Sequence, residues 1–484
     1  MNRGVVRKPA IGRDAGWLLV AEIAAVMLAF LGQIILTREL IAEDYGWLVL
    51  AIDIYASIFL IADLGLPTLL ARDGASNPQS VRSAVLRIYK FQAVAFASFL
   101  LVAIALQPLD WFGNDVPQLL WLAGILIAFI HIASYAPRTS LRSIGRANHE
   151  AISKVLERFI IVCGYVILAS LGETDVIWYA FMFFIGGLCS VFYSLFMLHN
   201  YTKGAAFQES SINLGRDWIT NKTLFMSALP FAITLSILPY VIRIEKFMIA
   251  HVSGVEVMAV FHVAQLAWLA GLVVPAALRA ALLPVLGQRR ANPNSQYTPM
   301  DTSLDICFGL LPIGLFSGFL IVNFFAPIAF PSEYFDASLG ANAVDLFTIL
   351  LMGWSATLLA TPTYTRLQTH ENPWRFTLFI ALVVLTALMV GWILVGRLSM
   401  SNKQALYFGS LAASISSILL LVYSIHLSES WAWILRRKDD WLLAILCSSL
   451  IIVGLFSSTI IWSLGLPLFL FIPKAVQAVK STLS

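Results

Sequence analysis

Charged side chains are scarce in this sequence. Asp, Glu, Lys and Arg supply only 12% of the 484 residues, about half of the share found in soluble globular proteins. The four cysteines all lie within apolar stretches and none forms a CxxC pair, so neither a disulfide framework nor a cysteine metal site is indicated. With so little charge, the chain is expected to be neither a soluble enzyme nor a disordered protein.

Motifs for nucleotide, metal and ester chemistry are missing as well. The sequence contains no GxxxxGK[ST] loop, no HExxH pair, no GxSxG turn and no Cys/His cluster at metal-binding spacing. The segments expected on the outer side are short, whereas a membrane glycosyltransferase or polymerase needs room there for its acceptor and its catalytic carboxylates. We therefore predict no enzymatic activity, no cofactor, no bound metal and no nucleic-acid partner.

Long apolar runs dominate what is present. Hydrophobic residues make up 59% of the chain, and the mean hydropathy is +0.83. Because a membrane-spanning helix needs ~20 apolar residues, the sequence predicts an all-α integral membrane protein with about 14 transmembrane helices. The tryptophans fall mostly near span ends, which fits an interfacial belt without a functional role. The expected spans are residues 16–36, 47–70, 88–106, 118–136, 151–171, 176–199, 223–250, 255–278, 304–330, 343–364, 374–396, 404–427, 441–461 and 465–480.

The positions of lysine and arginine indicate the orientation of these spans. When the N-terminus is placed in the cytoplasm, 26 of the 31 basic residues fall on the cytoplasmic side and five on the outer side. Cytoplasmic loops of membrane proteins carry an excess of Lys and Arg. The distribution therefore predicts a multi-pass protein with both its N-terminus and its C-terminus in the cytoplasm.

The longest polar connection, residues 200–222, separates six predicted spans from eight. Residues 33–72 and 239–279 look alike: in each, a helix ends in a charged cluster, and a long apolar helix follows that closes on Pro, Leu and Arg. This similarity favours an internal repeat, and because each unit would have six spans, the two units would be parallel. The expected parts are an N-lobe, a cytoplasmic linker, a C-lobe and a terminal helix pair, at residues 1–200, 201–222, 223–427 and 428–484.

Acidic residues inside the first two predicted spans are candidates for function. Glu22 and Asp53 lie well within these spans, and Asp63 lies further along the second. A charge near the bilayer centre costs ~2.5–3.5 kcal/mol on insertion scales and therefore usually faces a bundle interior or a wet cavity. We favour a cavity role for Glu22 and Asp53.

Two charged clusters each leave two interpretations open. Lys154, Glu157 and Arg158 share one face near the cytoplasmic end of the fifth span. In one interpretation these side chains extend toward the lipid headgroups and form a local salt bridge. In the other they line a cavity. The charged run at 243–246 lies near the outer end of the seventh span and is either interfacial or part of a cavity.

Four segments carry a resemblance to a known family. The first lies between Leu36 and Arg72 and contains TREL, EDYG and ADLGL; the others are RIEKF at 243–247, LLP at 282–284 and PSEYFDA at 331–337. In these segments the chain resembles the polysaccharide exporters and O-antigen (lipid-linked oligosaccharide) flippases of the multidrug/oligosaccharidyl-lipid/polysaccharide (MOP) exporter superfamily. In RIEKF the family has Asp more often than the Glu found here. Elsewhere the resemblance lies in the layout of spans rather than in residues.

The resemblance implies two six-helix lobes plus two C-terminal helices. It also implies a transporter of the bacterial cytoplasmic (inner) membrane that flips lipid-linked oligosaccharide or polysaccharide repeat units by alternating access. Its substrate would be a polyprenyl-diphosphate-linked glycan, and its partners membrane lipids and a polysaccharide polymerase or glycosyltransferase. Cationic side chains would pair with the diphosphate, and the candidates are Arg38, Arg158, Arg243 and Arg279. Candidates for proton or cation coupling are Glu22, Asp53, Asp63, Glu157 and Glu245.

Two other functions stay open on the sequence alone. A cation-coupled multidrug exporter of the same superfamily would share the fold and would use buried carboxylates, such as Glu22 and Asp53, against cationic drugs. A membrane glycan polymerase or transferase is the other alternative, although the short outer segments speak against it.

Overall fold

Helices make up the regular structure in the part of the chain that the computed structural model describes, namely residues 11–73, 81–106, 118–203, 221–288, 297–370, 372–454 and 476. Within these ranges there are seventeen α-helices, three short 3-10 or π-helical turns, and no strand. The predicted all-α fold is therefore confirmed. The helices group into two compact units, Met1–Pro239 and Tyr240–Ser484.

The first unit is built around three helices that pack on one another, α5, α6 and α7. The helix α6 also packs against α1, and α5 also packs against α2 and α3. The start of α7 is fixed by Asp175, whose carboxylate accepts a hydrogen bond from the backbone N–H of Ile177 at 2.9 Å. The helices of this unit are α1 Ile11–Glu39, α2 Ala42–Ala62, α3 Leu66–Asp73, α4 Val81–Leu106, α5 Gln118–Ser143, α6 Ala147–Ser170, α7 Val176–Thr202 and α8 Asn221–Ile237.

The second unit is arranged around α13, which packs against α10, α11, α12, α15 and α17. Asparagine side chains cap the starts of α13 and α14: Asn342 accepts from the N–H of Val344 at 2.8 Å, and Asn372 from the N–H of Trp374 at 3.0 Å. The helices are α9 Ile244–Ser253, α10 Val255–Gly271, α11 Val273–Gln288, α12 Tyr297–Ala329, α13 Ala343–Gln368, α14 Pro373–Gly391, α15 Asn402–Leu427, α16 Trp431–Leu435 and α17 Lys438–Gly454.

Most of the predicted spans coincide with a helix or with a pair of helices. Among the described residues, nine helices are long and apolar enough to cross a membrane, or ten if the pair at Ala228–Ile242 and Ile244–Ser253, bent by 51°, counts as one span. The last predicted span, 465–480, lies almost entirely outside the described residues. A multi-pass membrane protein is therefore confirmed, and the number fourteen remains approximate.

The helix α8 groups with the first unit, which extends to Pro239. It does so because it packs closely against α2 and α3. The division into lobes at residue 223 stays a prediction. A Cβ atom on Gly65 would lie 2.6 Å from the backbone nitrogen of Ala232, so only glycine leaves room for α8 there.

The two similar sequence segments fold in a similar way. In the first, residues 63–65 separate α2 from α3 just before Pro67; in the second, Leu272 separates α10 from α11 just before Pro275. Proline lacks the N–H that would continue the helical hydrogen-bond ladder and crowds the preceding turn. Each unit thus contains a long span that is broken on the N-terminal side of a proline.

We predict that Gly65→Ala lowers the stability of the protein more than Gly172→Ala does. Both glycines have positive φ, +63° and +70°, so both substitutions carry the backbone strain of a left-handed residue. Only Gly65 faces another backbone, since no atom lies within 4 Å of a Cβ built on Gly172. The overpacking should lower the stability of Gly65→Ala by a further ~1–3 kcal/mol. The Tm in detergent measures this difference. An equal fall of Tm in both variants would contradict the close contact with α8.

Candidate functional site

A buried ion pair joins α5 to α6 in the first unit. A guanidinium nitrogen of Arg138 bonds to a carboxylate oxygen of Glu157, and the side chains are 5% and 3% exposed. The same guanidinium donates to the hydroxyl of Ser190 and, through Nε, to that of Ser153 at 3.2 Å. Ser153 also shares a hydrogen bond of 2.8 Å with the Ser194 hydroxyl. Burying two charges is tolerated here because hydrogen bonds surround the pair.

The charged cluster predicted on one face of the fifth span divides among three neighbouring helices. Lys154 bonds to Glu22 of α1 at 3.1 Å, Glu157 bonds to Arg138 of α5, and the guanidinium of Arg158 stacks over the ring of Phe183 of α7, 5.3 Å from its centroid. A salt bridge within α6, one of the two alternatives left open by the sequence, is therefore not the arrangement found. Each charge instead finds its partner on a different helix.

The other acidic residues predicted in the first unit are buried. Asp63 is 2% exposed and accepts a hydrogen bond of 2.9 Å from the side-chain amide of Gln92 on α4. Asp53 is 9% exposed within α2. Arg38, by contrast, has an exposed side chain in the last turn of α1. The structure thus brings Glu22 together with Lys154 and Glu157 together with Arg138, and it leaves Asp63 with an uncharged partner.

A second group of buried polar residues lies on α9 and α10. Glu245 is 0% exposed, and neither carboxylate oxygen makes a hydrogen bond of good geometry among the described residues. The hydroxyl of Ser416 faces this carboxylate, but it donates to the carbonyl of Ala412 at 2.8 Å. The Lys246 ammonium lies 3.4 Å from Nδ1 of His262. A buried carboxylate without good hydrogen bonds is costly unless a positive charge acts on it, and here the adjacent Lys246 does so.

Of the two arginines predicted in the second unit, Arg279 has the clearer environment. Its guanidinium contacts the hydroxyl of Tyr364 at 3.3 Å and lies 5.8 Å from the centre of that ring. The same ring packs edge-on against Phe376 and Phe379. Arg279 forms no ion pair with any carboxylate in the described part of the chain. Arg243 is partly buried just before α9.

Sequence reasoning missed Arg138, the central residue of the buried pair. The predicted span ended at residue 136, so Arg138 was counted as a cytoplasmic basic residue. In the structure α5 continues through Pro137 to Ser143 and carries Arg138 into the interior. Small hydroxyl residues one turn apart in an apolar span, Ser190 and Ser194, were the available signal for a polar contact at this place.

Two acidic residues near helix ends, Asp44 in the first turn of α2 and Glu333 in the turn at Ser332–Tyr334, have raised pKa values. Burial and the nearby Glu43 and Asp175 raise the pKa of Asp44. Burial, Glu256 and Asp336 raise the pKa of Glu333. Within the described ranges no group of three or more His, Cys, Asp or Glu side chains has the geometry to hold a metal ion.

A family of known proteins matches the chain over more than half of its length. The model of the family described as "Polysaccharide biosynthesis protein" matches residues 11–289. The chain belongs to this family. Its membership confirms the resemblance to the MOP superfamily that the sequence segments indicated. No curated protein sequence gives a significant match.

Solved structures of MOP superfamily transporters have the same fold. An inward-facing multidrug resistance MATE family transporter has a TM-score of 0.64 at 14% identity, covering 84% of this chain and 96% of its own. An outward-facing one has a TM-score of 0.60 at 15% identity, covering 87% and 96%. A MOP superfamily transporter from Pyrococcus furiosus has a TM-score of 0.60 at 13% identity, covering 87% and 97%. At such low identity these structures establish the fold.

Family and fold together identify a MOP-type transporter. The family and the structural neighbours are transporters, so this polysaccharide-family protein is a transporter and not an enzyme.

Two ion pairs on α6 allow a direct test of the buried network. Glu157→Gln is expected to destabilise the protein by ~3–5 kcal/mol, because it leaves the Arg138 charge buried without a partner. The matched substitution in the partly exposed pair, Glu22→Gln beside Lys154, should cost ~0–1 kcal/mol. Thermal unfolding in detergent measures both. Replacing both charges, with Arg138→Met and Glu157→Leu, should recover part of the loss; similar Tm values for all variants would contradict a buried pair.

Proposed function

We propose that the protein flips lipid-linked oligosaccharide or polysaccharide repeat units across a membrane by alternating access. The observation that carries the proposal is the combination of a polysaccharide biosynthesis family with a transporter fold. A transporter in glycan biosynthesis must move a glycan or its precursor, and a glycan headgroup cannot cross hydrocarbon without a polar path. Two compact helical units supply the parts that alternating access requires.

The anion of such a substrate needs a cation whose charge is not already neutralised. Arg279 meets this condition, because its described contacts are the hydroxyl and ring of Tyr364 rather than a carboxylate. A guanidinium offers two parallel donors that suit phosphate oxygens. Arg158, stacked on Phe183, is the corresponding candidate in the first unit. Arg38 and Arg243 are proposed as further phosphate contacts on the outer side.

Coupling to an ion gradient is proposed for the second unit. Glu157 and Glu22 are less suited to it, since a proton on either would leave Arg138 or Lys154 without its partner. Asp53 and Asp63 are buried, and the Gln92 amide already binds Asp63. Glu245 is fully buried and lacks good hydrogen bonds, so binding a proton or a cation would stabilise it most.

The setting that goes with this function is a bacterial cytoplasmic membrane. We propose that both termini face the cytoplasm, since the distribution of Lys and Arg supports that orientation. The substrate would be a polyprenyl-diphosphate-linked glycan, and a polysaccharide polymerase or a glycosyltransferase would act before or after it.

A second candidate function is cation-coupled export of drugs. The observation that favours it is the fold itself, because the solved structures with TM-scores of 0.64 and 0.60 are multidrug resistance transporters. Buried carboxylates at Asp53 and Glu245 would suit cationic drugs. The polysaccharide family of residues 11–289 favours the glycan instead.

The function is tested with the purified protein in lipid vesicles. A polyprenyl-diphosphate-linked oligosaccharide placed in one leaflet should reach the other leaflet faster than in protein-free vesicles, as measured by its accessibility to a glycan-cleaving enzyme outside. Accumulation of a cationic dye, without movement of the glycan, would instead support the drug exporter.

Arg279 variants test the phosphate contact within the same assay. Arg279→Ala should reduce flipping strongly, and Arg279→Lys should restore little, because an ammonium lacks the paired donors. Arg375→Lys is the matched control, since Arg375 is half exposed and pairs with Glu429 at 3.6 Å. Full activity of both Arg279 variants would remove this residue from the site.

Glu245→Gln is expected to abolish the dependence of transport on an ion gradient while the protein still folds. The substitution keeps the size of the side chain and removes the charge that a proton or a cation would neutralise. Transport with and without an imposed proton or sodium gradient measures the effect. Glu256→Gln, at an exposed residue of α10, is the control. Gradient-driven transport that survives in Glu245→Gln would exclude this residue from coupling.

A further inference from the structure

Prolines inside the helices leave particular backbone carbonyls without a donor. The carbonyl four residues before a proline loses its helical hydrogen bond, because proline has no N–H. Away from water such a carbonyl must find another donor. At three prolines, Pro137, Pro275 and Pro362, a side chain from a neighbouring helix provides it.

The three hydrogen bonds have different donors. The Tyr89 hydroxyl donates to the carbonyl of Ala133 at 2.7 Å, four residues before Pro137. The Cys307 thiol donates to the carbonyl of Leu358 at 3.3 Å, four residues before Pro362.

The third donor is the indole of Trp354. Its Nε1–H donates to the carbonyl of Gly271 at 2.9 Å, four residues before Pro275. Each of the three side chains thus donates a hydrogen bond to the carbonyl that the proline leaves without a backbone donor.

Only the third of these positions is a break in the helix. The helices α5 and α13 continue through Pro137 and Pro362. Before Pro275, α10 ends at Gly271 and α11 begins at Val273. A break beside glycine, with a proline following it, is a place where a span can bend.

Two glycines hold the indole of Trp354 in position. The side chain is 4% exposed. A Cβ on Gly314 of α12 would lie 2.0 Å from the indole ring, and a Cβ on Gly271 would lie 2.9 Å from Nε1. The ring therefore occupies space that any other residue at 314 would fill.

The helix that carries Trp354 also holds the far side of the break. Tyr364, on the same helix α13, contacts Arg279 of α11 at 3.3 Å. Ten residues of α-helix correspond to about 15 Å, so α13 bonds to the end of α10 on one side of the break and to the middle of α11 on the other. A change of bend at Gly271 would move Arg279 relative to Tyr364.

We propose that α11 is a hinged segment of the transport cycle and that Trp354 is the positioning residue that sets its bend. The proposal rests on the proposed function, in which Arg279 contacts the substrate phosphate. When the indole donates to Gly271, α11 lies along α13 and Arg279 lies beside Tyr364. When that hydrogen bond opens, the segment is free to turn about residues 271–273.

The hinge is tested by hydrogen–deuterium exchange of the detergent-purified protein, which needs no substrate. Trp354→Phe keeps an aromatic ring and removes the donor. Exchange of the amides at 272–280 should speed up by ~10-fold, the effect of losing one ordinary hydrogen bond. Tyr89→Phe is the matched control: it removes the donor at Pro137 and should leave exchange in α11 unchanged.

Pro275→Ala separates a hinge from a general loss of packing. It restores a backbone N–H that can bond to Gly271, so the indole donor becomes dispensable. Exchange at 272–280 should slow in Pro275→Ala, and adding Trp354→Phe to it should change little. Flipping in vesicles should fall in Pro275→Ala although the protein is as stable as the parent or more so.

Three results would overturn the hinge. The first is unchanged exchange at 272–280 in Trp354→Phe. The second is an equal increase in exchange when Trp354→Phe is added to the parent protein and to Pro275→Ala. The third is faster exchange spread evenly over the second unit. If Trp354→Phe does not fold, Pro275→Ala alone decides, since unchanged exchange and flipping would contradict the proposal. Loss of the proposed function would show separately, as absence of glycan flipping in the parent protein.

Discussion

A peptide group inside hydrocarbon has no water to bond to, and the arrangement of this chain follows from that constraint. Long helices satisfy it within one segment, and capping asparagines and an aspartate satisfy it where helices begin. Where proline interrupts the ladder, a donor must come from elsewhere. At Pro67 the backbone supplies it, since the N–H of Leu66 turns back to the carbonyl of Asp63 at 3.3 Å. At three other prolines a neighbouring helix supplies it, so these interruptions also fix which helices pack together.

Buried charged groups also need partners within the protein, and the two units provide these partners differently. In the first unit the Arg138 guanidinium neutralises Glu157, and three serine hydroxyls complete the surroundings. In the second unit Glu245 is buried without comparable partners among the described residues, and Arg279 has an aromatic neighbour instead of a carboxylate. A neutralised pair is suited to holding helices together. A buried polar group whose hydrogen bonds are incomplete is suited to binding a substrate group or an ion, which is why the proposed chemistry lies in the second unit.

The sequence predicted much of the fold because hydropathy depends on single residues and their immediate neighbours. Spans and the all-α class follow from apolar runs of sufficient length. Prolines are harder to interpret. The predicted span 118–136 stopped just before Pro137, although a tyrosine 48 residues earlier allows the helix to continue through this proline. The error hid Arg138, and with it the pairing of Glu157. The contact of Gly65 with α8 was missed for a related reason, since it joins segments far apart in sequence.

The tryptophans occupy two kinds of position that composition alone does not distinguish. Trp374 and Trp431 are 45% and 43% exposed, as expected of an interfacial belt, whereas Trp354 lies at 4% in the middle of α13. An indole N–H buried that deeply needs an acceptor, and in a membrane helix almost every carbonyl is already bonded to its own backbone. A carbonyl released by proline is one of the few available. The sequence therefore identifies Gly271 as an acceptor in need of a donor, four residues before Pro275. It cannot identify the donor, because Trp354 is 83 residues away and reaches Gly271 only through the packing of α13 against α10 and α11.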